Sequence, residues 1–187
     1  MRSSAGMGCC AFKWLDDSIF LDTDIYDSEA HTGNRNRAIG YLLASKDMLH
    51  GDVLSCVDLY FRLCSLISHI TFFGWPWPFF SADGINPRTG ERLLDKKVVR
   101  TVKTLMFTCG MYDGSGEYAC RVGIPSKSGV GGGIVGCVEG RMGIGCYGSS
   151  LDTKGNSIGG IYAMEHLSNA LKLHVFDAHN PIEYEVN

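Results

Sequence analysis

A change in residue pattern near Gly110 constrains the fold of this chain more than any other feature. Before it, apolar residues recur at spacings of three and four, which is typical of amphipathic helices. After it, most of the chain's 24 glycines punctuate short alternating segments, which is typical of antiparallel strands and tight turns. Helices followed by strands and a terminal helix predict an α+β fold, with helices packed on an antiparallel sheet.

Four helices are predicted from periodicity and end signals. The first covers residues 34–43 and the second residues 52–66, with Asp52 as a suitable N-cap. A third helix is predicted over residues 95–107 and ends at Gly110. A closing helix is predicted over residues 161–171, where apolar residues again form one stripe.

Three strands are predicted in the glycine-rich part, over residues 117–122, 132–138 and 142–147. The last two are separated by Glu139-Gly140-Arg141, which predicts a tight hairpin turn. Turn-forming residues also fill positions 82–90.

The aromatic and proline-rich segment over residues 73–80 does not fit a helix interior. Each proline removes a backbone donor and clashes with the preceding turn. We expect a loop packed on the core here, and an aromatic-proline docking surface is the alternative.

Composition excludes several classes of protein. A length of 187 residues suits one domain, and a formal net charge of -3 gives no electrostatic case for nucleic acid or an anionic membrane. The most apolar segment, residues 70–80, is too short to span a bilayer. No signal-peptide pattern opens the sequence. We therefore expect a soluble intracellular domain.

The eight cysteines predict free thiols rather than a metal site. No Cys-x-x-Cys pair occurs, and no pair of histidines lies at ligand spacing beside the cysteines, so a zinc site is not indicated. Several cysteines lie in apolar runs, as Cys137 does, where a free thiol behaves as a small hydrophobe. A reducing compartment such as the cytoplasm is the expected location.

Three glycine-punctuated segments are the candidates for chemistry: residues 110–117, 127–133 and 151–157. Glycine lets backbone N–H groups approach a ligand closely, although hairpin turns alone would also explain the pattern. Neither a dinucleotide-binding fingerprint nor a phosphate-binding loop occurs. Lys127-Ser128-Gly129 matches the Lys-[Ser/Thr]-Gly strand of penicillin-binding proteins and class A β-lactamases, although the tripeptide alone is weak evidence.

Taken together, these segments strongly resemble the serine-dependent glutaminase family. Residues 26–29, residues 35–38 and the Tyr60-Phe61 pair match the same family in register. The resemblance covers about residues 24–173. It implies a β-lactamase/transpeptidase-like fold and hydrolysis of L-glutamine to L-glutamate and ammonia. We expect a divergent segment over residues 1–24, a partial glutaminase domain over 25–175 and a tail over 176–187.

By this resemblance, five residues would bind the substrate: Glu29, Asn36, Tyr60, Tyr112 and Val130, the last through its backbone N–H. A carboxylate suits the substrate's ammonium group, and neutral donors suit its carboxylate. Tyr112 would also act in proton transfer, and the Val130 N–H would stabilise the oxyanion. Lys127 is a weaker catalytic candidate. The resemblance implies no cofactor or metal, and it suggests a homo-oligomer.

Three of these residues have structural alternatives. Glu29 would favour a helix start electrostatically, Asn36 would be a solvated helix residue, and Tyr60 would be a core aromatic. A β-lactamase-type hydrolase is a less favoured reading, because Tyr112 and residues 151–157 match glutaminases better.

The chain departs from the family pattern in two places. No serine is followed by lysine three residues later, so the family's Ser-x-x-Lys nucleophile is absent, as is its upstream Asn-Ala-Gly segment. We expect the N-terminal part of the domain to be missing and hydrolysis to be impaired. The alternatives are a non-catalytic glutamine or glutamate binder and an inactive fragment. The second departure is residues 70–80, which fit a compensated reading-frame error or a decaying gene copy.

Overall fold

In its described residues, the first unit of the chain is a group of three helices with a two-stranded sheet. A computed structural model describes residues 19–67, 77–87 and 89–177 of the chain, which divides into units of residues 1–69 and 70–187. In the first unit the elements are β1 (Phe20–Leu21), α1 (Thr23–Thr32), α2 (Asn34–Ala44), α3 (Val53–Cys64) and β2 (Leu66–Ile67). Strand β1 pairs antiparallel with β2, with Phe20 opposite Ile67.

Aspartate caps fix where two of these helices begin. The Asp22 carboxylate accepts the N–H groups of Asp24 and Ile25 at 3.0 Å, and Asp52 accepts that of Ser55 at 2.8 Å. A carboxylate at this position satisfies donors that lack an intrahelical partner. The predicted helices over residues 34–43 and 52–66, with Asp52 as N-cap, are confirmed as α2 and α3.

Gly33 lets α1, α2 and α3 approach closely. A Cβ at residue 33 would lie 2.2 Å from Phe61 Cζ and 2.6 Å from the Glu29 carbonyl oxygen. Phe61 is buried, and the Arg37 guanidinium lies 5.3 Å from the centroid of its ring. The junction of α1 and α2 therefore packs directly on the main core residue of α3.

The described part of the second unit consists of helices around a three-stranded antiparallel sheet. Its elements are α4 (Trp77–Ser81), α5 (Lys96–Cys109), a 3-10 helix (Tyr112–Gly114), α6 (Ser115–Arg121), β3 (Ser126–Ser128), β4 (Gly133–Val138), β5 (Met142–Tyr147) and α7 (Ile158–Leu171). The strand order is β3-β4-β5, with Ser128 opposite Ile134 and Val138 opposite Met142. Helices α4 and α7 pack on β4 and β5, and α5 lies beside β3.

The core of this unit joins the sheet to α6 and α7. Met111, Tyr118, Val122, Ile124, Ile134 and Met164 are among its buried members. The α+β class, with helices on an antiparallel sheet, is therefore confirmed. The β4–β5 hairpin is confirmed as well, because the Arg141 N–H donates to the Val138 carbonyl at 3.1 Å and Gly140 has a φ of 63°.

The strand predicted over residues 117–122 is wrong, because residues 117–121 belong to α6 and Val122 is its C-cap. Its apolar residues alternate, but Tyr118 and Val122 are also four positions apart and both are buried. A spacing of four places two side chains on one face of a helix. Packing of that face on the core favours the helix, with its spacing of four, over the strand, with its spacing of two.

The loop predicted over residues 73–80 is wrong for its last four residues, which lie in α4; residues 73–76 are outside the described part of the chain. Pro78 is the second residue of this short helix. Its missing N–H costs nothing there, because the first-turn N–H groups have no intrahelical acceptor.

We predict that Gly110→Ala destabilises the chain. A Cβ at residue 110 would lie 1.9 Å from the Ser126 carbonyl oxygen and 2.4 Å from that of Met106. Overpacking of this kind costs about 1–3 kcal/mol, measurable by urea unfolding. The matched control is Gly116→Ala in α6, where a Cβ would contact nothing within 4 Å. Alanine there should stabilise by about 0.5–1 kcal/mol, and a loss equal to that of Gly110→Ala would contradict this account.

We also predict that Cys137 resists alkylation. Burial raises the pKa of the Cys137 thiol to about 12, and the residue is 1% exposed. The thiolate is the reactive form, so little of it exists near neutral pH. Peptide mass mapping after iodoacetamide treatment should show the exposed Cys120 modified first, and Cys137 only in denaturant. Equal modification rates in the folded chain would be the contrary result.

Candidate functional site

The three glycine-punctuated segments meet in the second unit. The Ser128 N–H donates to the Gly110 carbonyl at 2.9 Å, which joins the end of β3 to the end of α5. Gly155 lies against the other two segments, since a Cβ at residue 155 would be 3.5 Å from Val130 Cγ1 and 3.7 Å from Tyr112 Cε2. The structure therefore brings Tyr112 and Val130 to the same glycine.

Tyr112 and Lys127 form the polar centre of this cluster. The Lys127 Nζ lies over the Tyr112 ring, 4.6 Å from its centroid, and also donates to the Ser128 carbonyl. Tyr112 is 38% exposed, so its ring is partly open to solvent. An ammonium group over an aromatic face is attracted by the negative charge of that face. The arrangement places a cation next to a phenol.

Val130 lies in the turn between β3 and β4. The turn is closed by the Gly129 N–H, which donates to the Gly133 carbonyl at 2.9 Å, and by the Gly132 N–H, which donates to the Gly129 carbonyl at 2.9 Å. Among the residues that the structure describes, none accepts a hydrogen bond from the Val130 N–H. Val130 is 69% exposed, so this donor belongs to an accessible turn.

Asp152 shapes the loop that carries Gly155. Its carboxylate accepts the N–H groups of Lys154 at 2.9 Å and of Asn156 at 2.8 Å. Partial desolvation favours the neutral carboxyl, but these donors outweigh it and hold the pKa of Asp152 below its ordinary value. The loop is thus held in place by a charged acceptor.

The remaining candidates lie on α1, α2 and α3 of the first unit. Glu29 is in the second half of α1, Asn36 is near the start of α2, and Tyr60 is near the end of α3. Because Glu29 lies in the second half of α1, electrostatic stabilisation of a helix start does not explain this residue. Tyr60 is 50% exposed while its neighbour Phe61 is 2% exposed, so the core aromatic of α3 is Phe61.

The six candidates are therefore divided evenly between the units. Glu29, Asn36 and Tyr60 belong to the first, and Tyr112, Lys127 and Val130 belong to the second.

Sequence reasoning missed two buried polar residues in the same segments. Ser115 is 6% exposed and Asn156 is 1% exposed, and both hydrogen-bond to the backbone around Tyr112. Ser115 could have been found from the sequence, because it lies between Gly114 and Gly116 in the segment that carries Tyr112. Nothing in the sequence alone connects Asn156 with Met111, because the two residues are 45 positions apart and meet only in the folded chain.

The described ranges show neither a metal-binding cluster nor a membrane-spanning helix. Within residues 19–67, 77–87 and 89–177, no group of three His, Cys, Asp or Glu side chains could hold a metal ion. No described helix is both long and apolar enough to cross a membrane.

Comparison with known proteins gives one consistent family. The family model described as Glutaminase matches residues 10–176. The chain is 50% identical over 161 residues to a glutaminase of Clostridioides difficile, covering 86% of this chain and 52% of the relative. It is 47% identical to Glutaminase 2 of Clostridium perfringens, covering 86% and 53%. The chain thus spans about half the length of the curated relatives it matches.

The solved structures agree. A Bacillus subtilis glutaminase, solved as a covalent complex with 5-oxo-L-norleucine, matches with a TM-score of 0.84 at 32% identity. The match covers 90% of this chain and 60% of that one. The glutaminase fold that the motifs imply is confirmed.

We predict that Asp152→Asn lowers the melting temperature at neutral pH but not in acid. Because the folded pKa is depressed, the stabilisation is present above the unfolded value of about 3.9. It is lost as the pH falls through the folded value. Thermal unfolding from about pH 7 to about pH 3 should therefore show the gap between wild type and variant closing. Asp113→Asn, at an exposed carboxylate, is the control. A gap that stays constant with pH would contradict this account of the loop.

Proposed function

The chain belongs to the glutaminase family, and we propose that it binds L-glutamine and carries part of the apparatus that hydrolyses it to L-glutamate and ammonia. The observation that carries this proposal is the cluster of Tyr112, Lys127 and Val130 within the family-matched residues. A phenol, a cation and an accessible N–H are the groups that amide hydrolysis needs beside its nucleophile.

Each candidate has a chemical task in this proposal. The Glu29 carboxylate pairs with the α-ammonium of glutamine, and Asn36 and Tyr60 donate to its α-carboxylate. The Val130 N–H donates to the carboxamide oxygen, where negative charge develops during attack. Tyr112 passes a proton to the departing ammonia. The positive charge of Lys127 stabilises negative charge on the phenol oxygen as that proton moves.

The nucleophile is the part that this sequence does not supply. None of its serines is followed by lysine at the third position. Without the attacking group, binding and oxyanion stabilisation leave only a small part of the rate enhancement. We therefore propose that these 187 residues by themselves hydrolyse glutamine very slowly. The same observation favours a second candidate function, which is glutamine binding without catalysis.

Two further proposals concern the setting in which the chain works. All six described cysteines, at positions 56, 64, 109, 120, 137 and 146, are free thiols, which supports a reducing compartment such as the cytoplasm. The homo-oligomer suggested by the family resemblance stays a prediction.

We predict that millimolar L-glutamine raises the melting temperature of the purified chain, because a ligand that binds only the folded state stabilises it. Glu29→Gln should abolish this rise, since it removes the charge opposite the ammonium group. Glu91→Gln, at an exposed position, should preserve it. No rise for the wild-type chain would contradict the proposed substrate.

Covalent labelling tests the missing nucleophile. The Bacillus subtilis glutaminase forms its covalent complex by reaction with 6-diazo-5-oxo-L-norleucine. We expect intact-mass spectrometry to show no adduct on this chain after the same treatment, together with ammonia release at background level. An adduct, or ammonia release that Tyr112→Phe abolishes, would show that another residue acts as nucleophile.

A further inference from the structure

The backbone of Tyr112 has an unusual conformation. Its φ is 52°, in the left-handed region that residues with a side chain rarely adopt. Within the described part of the chain, the other non-glycine residues with positive φ are Asp47, Asp83 and Lys172. Aspartate tolerates this region, and Lys172 caps α7, where left-handed residues commonly end helices. Tyr112 has neither reason, so its neighbours must hold it there.

The conformation of Tyr112 is set by the two peptide planes on either side of it. The Asn156 Nδ2 donates to the Met111 carbonyl at 3.2 Å, in the plane before Tyr112. The Ser115 Oγ donates to the Tyr112 carbonyl at 2.8 Å, in the plane after it. Since φ and ψ of a residue are the rotations between these planes, fixing both planes fixes both angles.

The Ser115 hydroxyl makes a second bond that closes the loop. It accepts the Met111 N–H at 3.0 Å, so one hydroxyl spans from Met111 to the far side of Tyr112. Ser115 and Asn156 are both buried, and water does not easily replace a buried partner.

We propose that Ser115 and Asn156 are positioning residues that hold Tyr112 in its left-handed conformation and so keep its ring beneath the Lys127 ammonium. Without them, Tyr112 relaxes to an ordinary backbone conformation and its ring leaves Gly155 and Lys127. The position of the Tyr112 ring does not depend on whether the chain hydrolyses glutamine. Its consequence for proton transfer rests on the proposed function.

The test is a measurement of where the ring lies. A proton above an aromatic face is shifted upfield by the ring, so the ε-CH₂ signal of Lys127 reports the contact. Carbon-13-labelled lysine makes this signal visible, Lys127→Arg assigns it, and Tyr112→Leu gives its position without the ring. We expect Ser115→Ala and Asn156→Leu to lose most of the upfield shift.

Two variants keep the test specific. Ser115→Thr retains a hydroxyl and should retain the shift, and Ser149→Ala, at an exposed serine, should leave it unchanged. The methyl signals of the buried Ile134 and Met164 show whether the core is intact.

Two results would overturn the proposal. The first is an unchanged Lys127 shift in both Ser115→Ala and Asn156→Leu with an intact core. The second is global unfolding of both variants, which would assign these residues to the core rather than to Tyr112. If the wild-type chain fails to bind glutamine while both variants lose the shift, the proposed function is wrong and the positioning role holds.

Discussion

The close backbone contact at Gly110 is the constraint on which the second unit depends. The space that a side chain would occupy there is filled by the Ser126 and Met106 carbonyls, so α5 ends directly against β3. The next strand residue, Lys127, then reaches over Tyr112, and the Ser128 N–H closes the contact by donating to the Gly110 carbonyl. A helix end, a strand and a strained tyrosine are joined because one residue has no side chain.

Local sequence signals predicted the elements whose periodicity and caps agree. Asp52 began α3, Gly110 ended α5, and Gly140 marked the hairpin turn. Residues 117–122 were misassigned because their pattern satisfies both a strand and a helix, and only the core on which Tyr118 and Val122 pack decides between them. The loop prediction at Pro78 was wrong for another reason, because a proline is unfavourable inside a helix but harmless in its first turn.

The candidate site was accessible to sequence reasoning only through motifs that keep their spacing. Tyr112, Lys127 and Val130 were found because they lie in glycine-punctuated segments that resemble one family. Asn156 was not, because its hydrogen bond to Met111 spans 45 positions and depends on how the loop over residues 151–157 packs. A side chain that acts by holding another residue's backbone leaves no chemical signature in a single sequence.

The proposed glutamine hydrolysis needs groups for which these residues supply candidates, and a nucleophile for which they do not. They hold candidate groups for binding, oxyanion stabilisation and proton transfer, and they lack Ser-x-x-Lys. Equilibrium dialysis with radiolabelled L-glutamine, followed by chromatography of the bound label, tests both halves of this claim together. We predict saturable binding with the label recovered as glutamine. The absence of saturable binding would contradict it, and so would recovery of the label as glutamate.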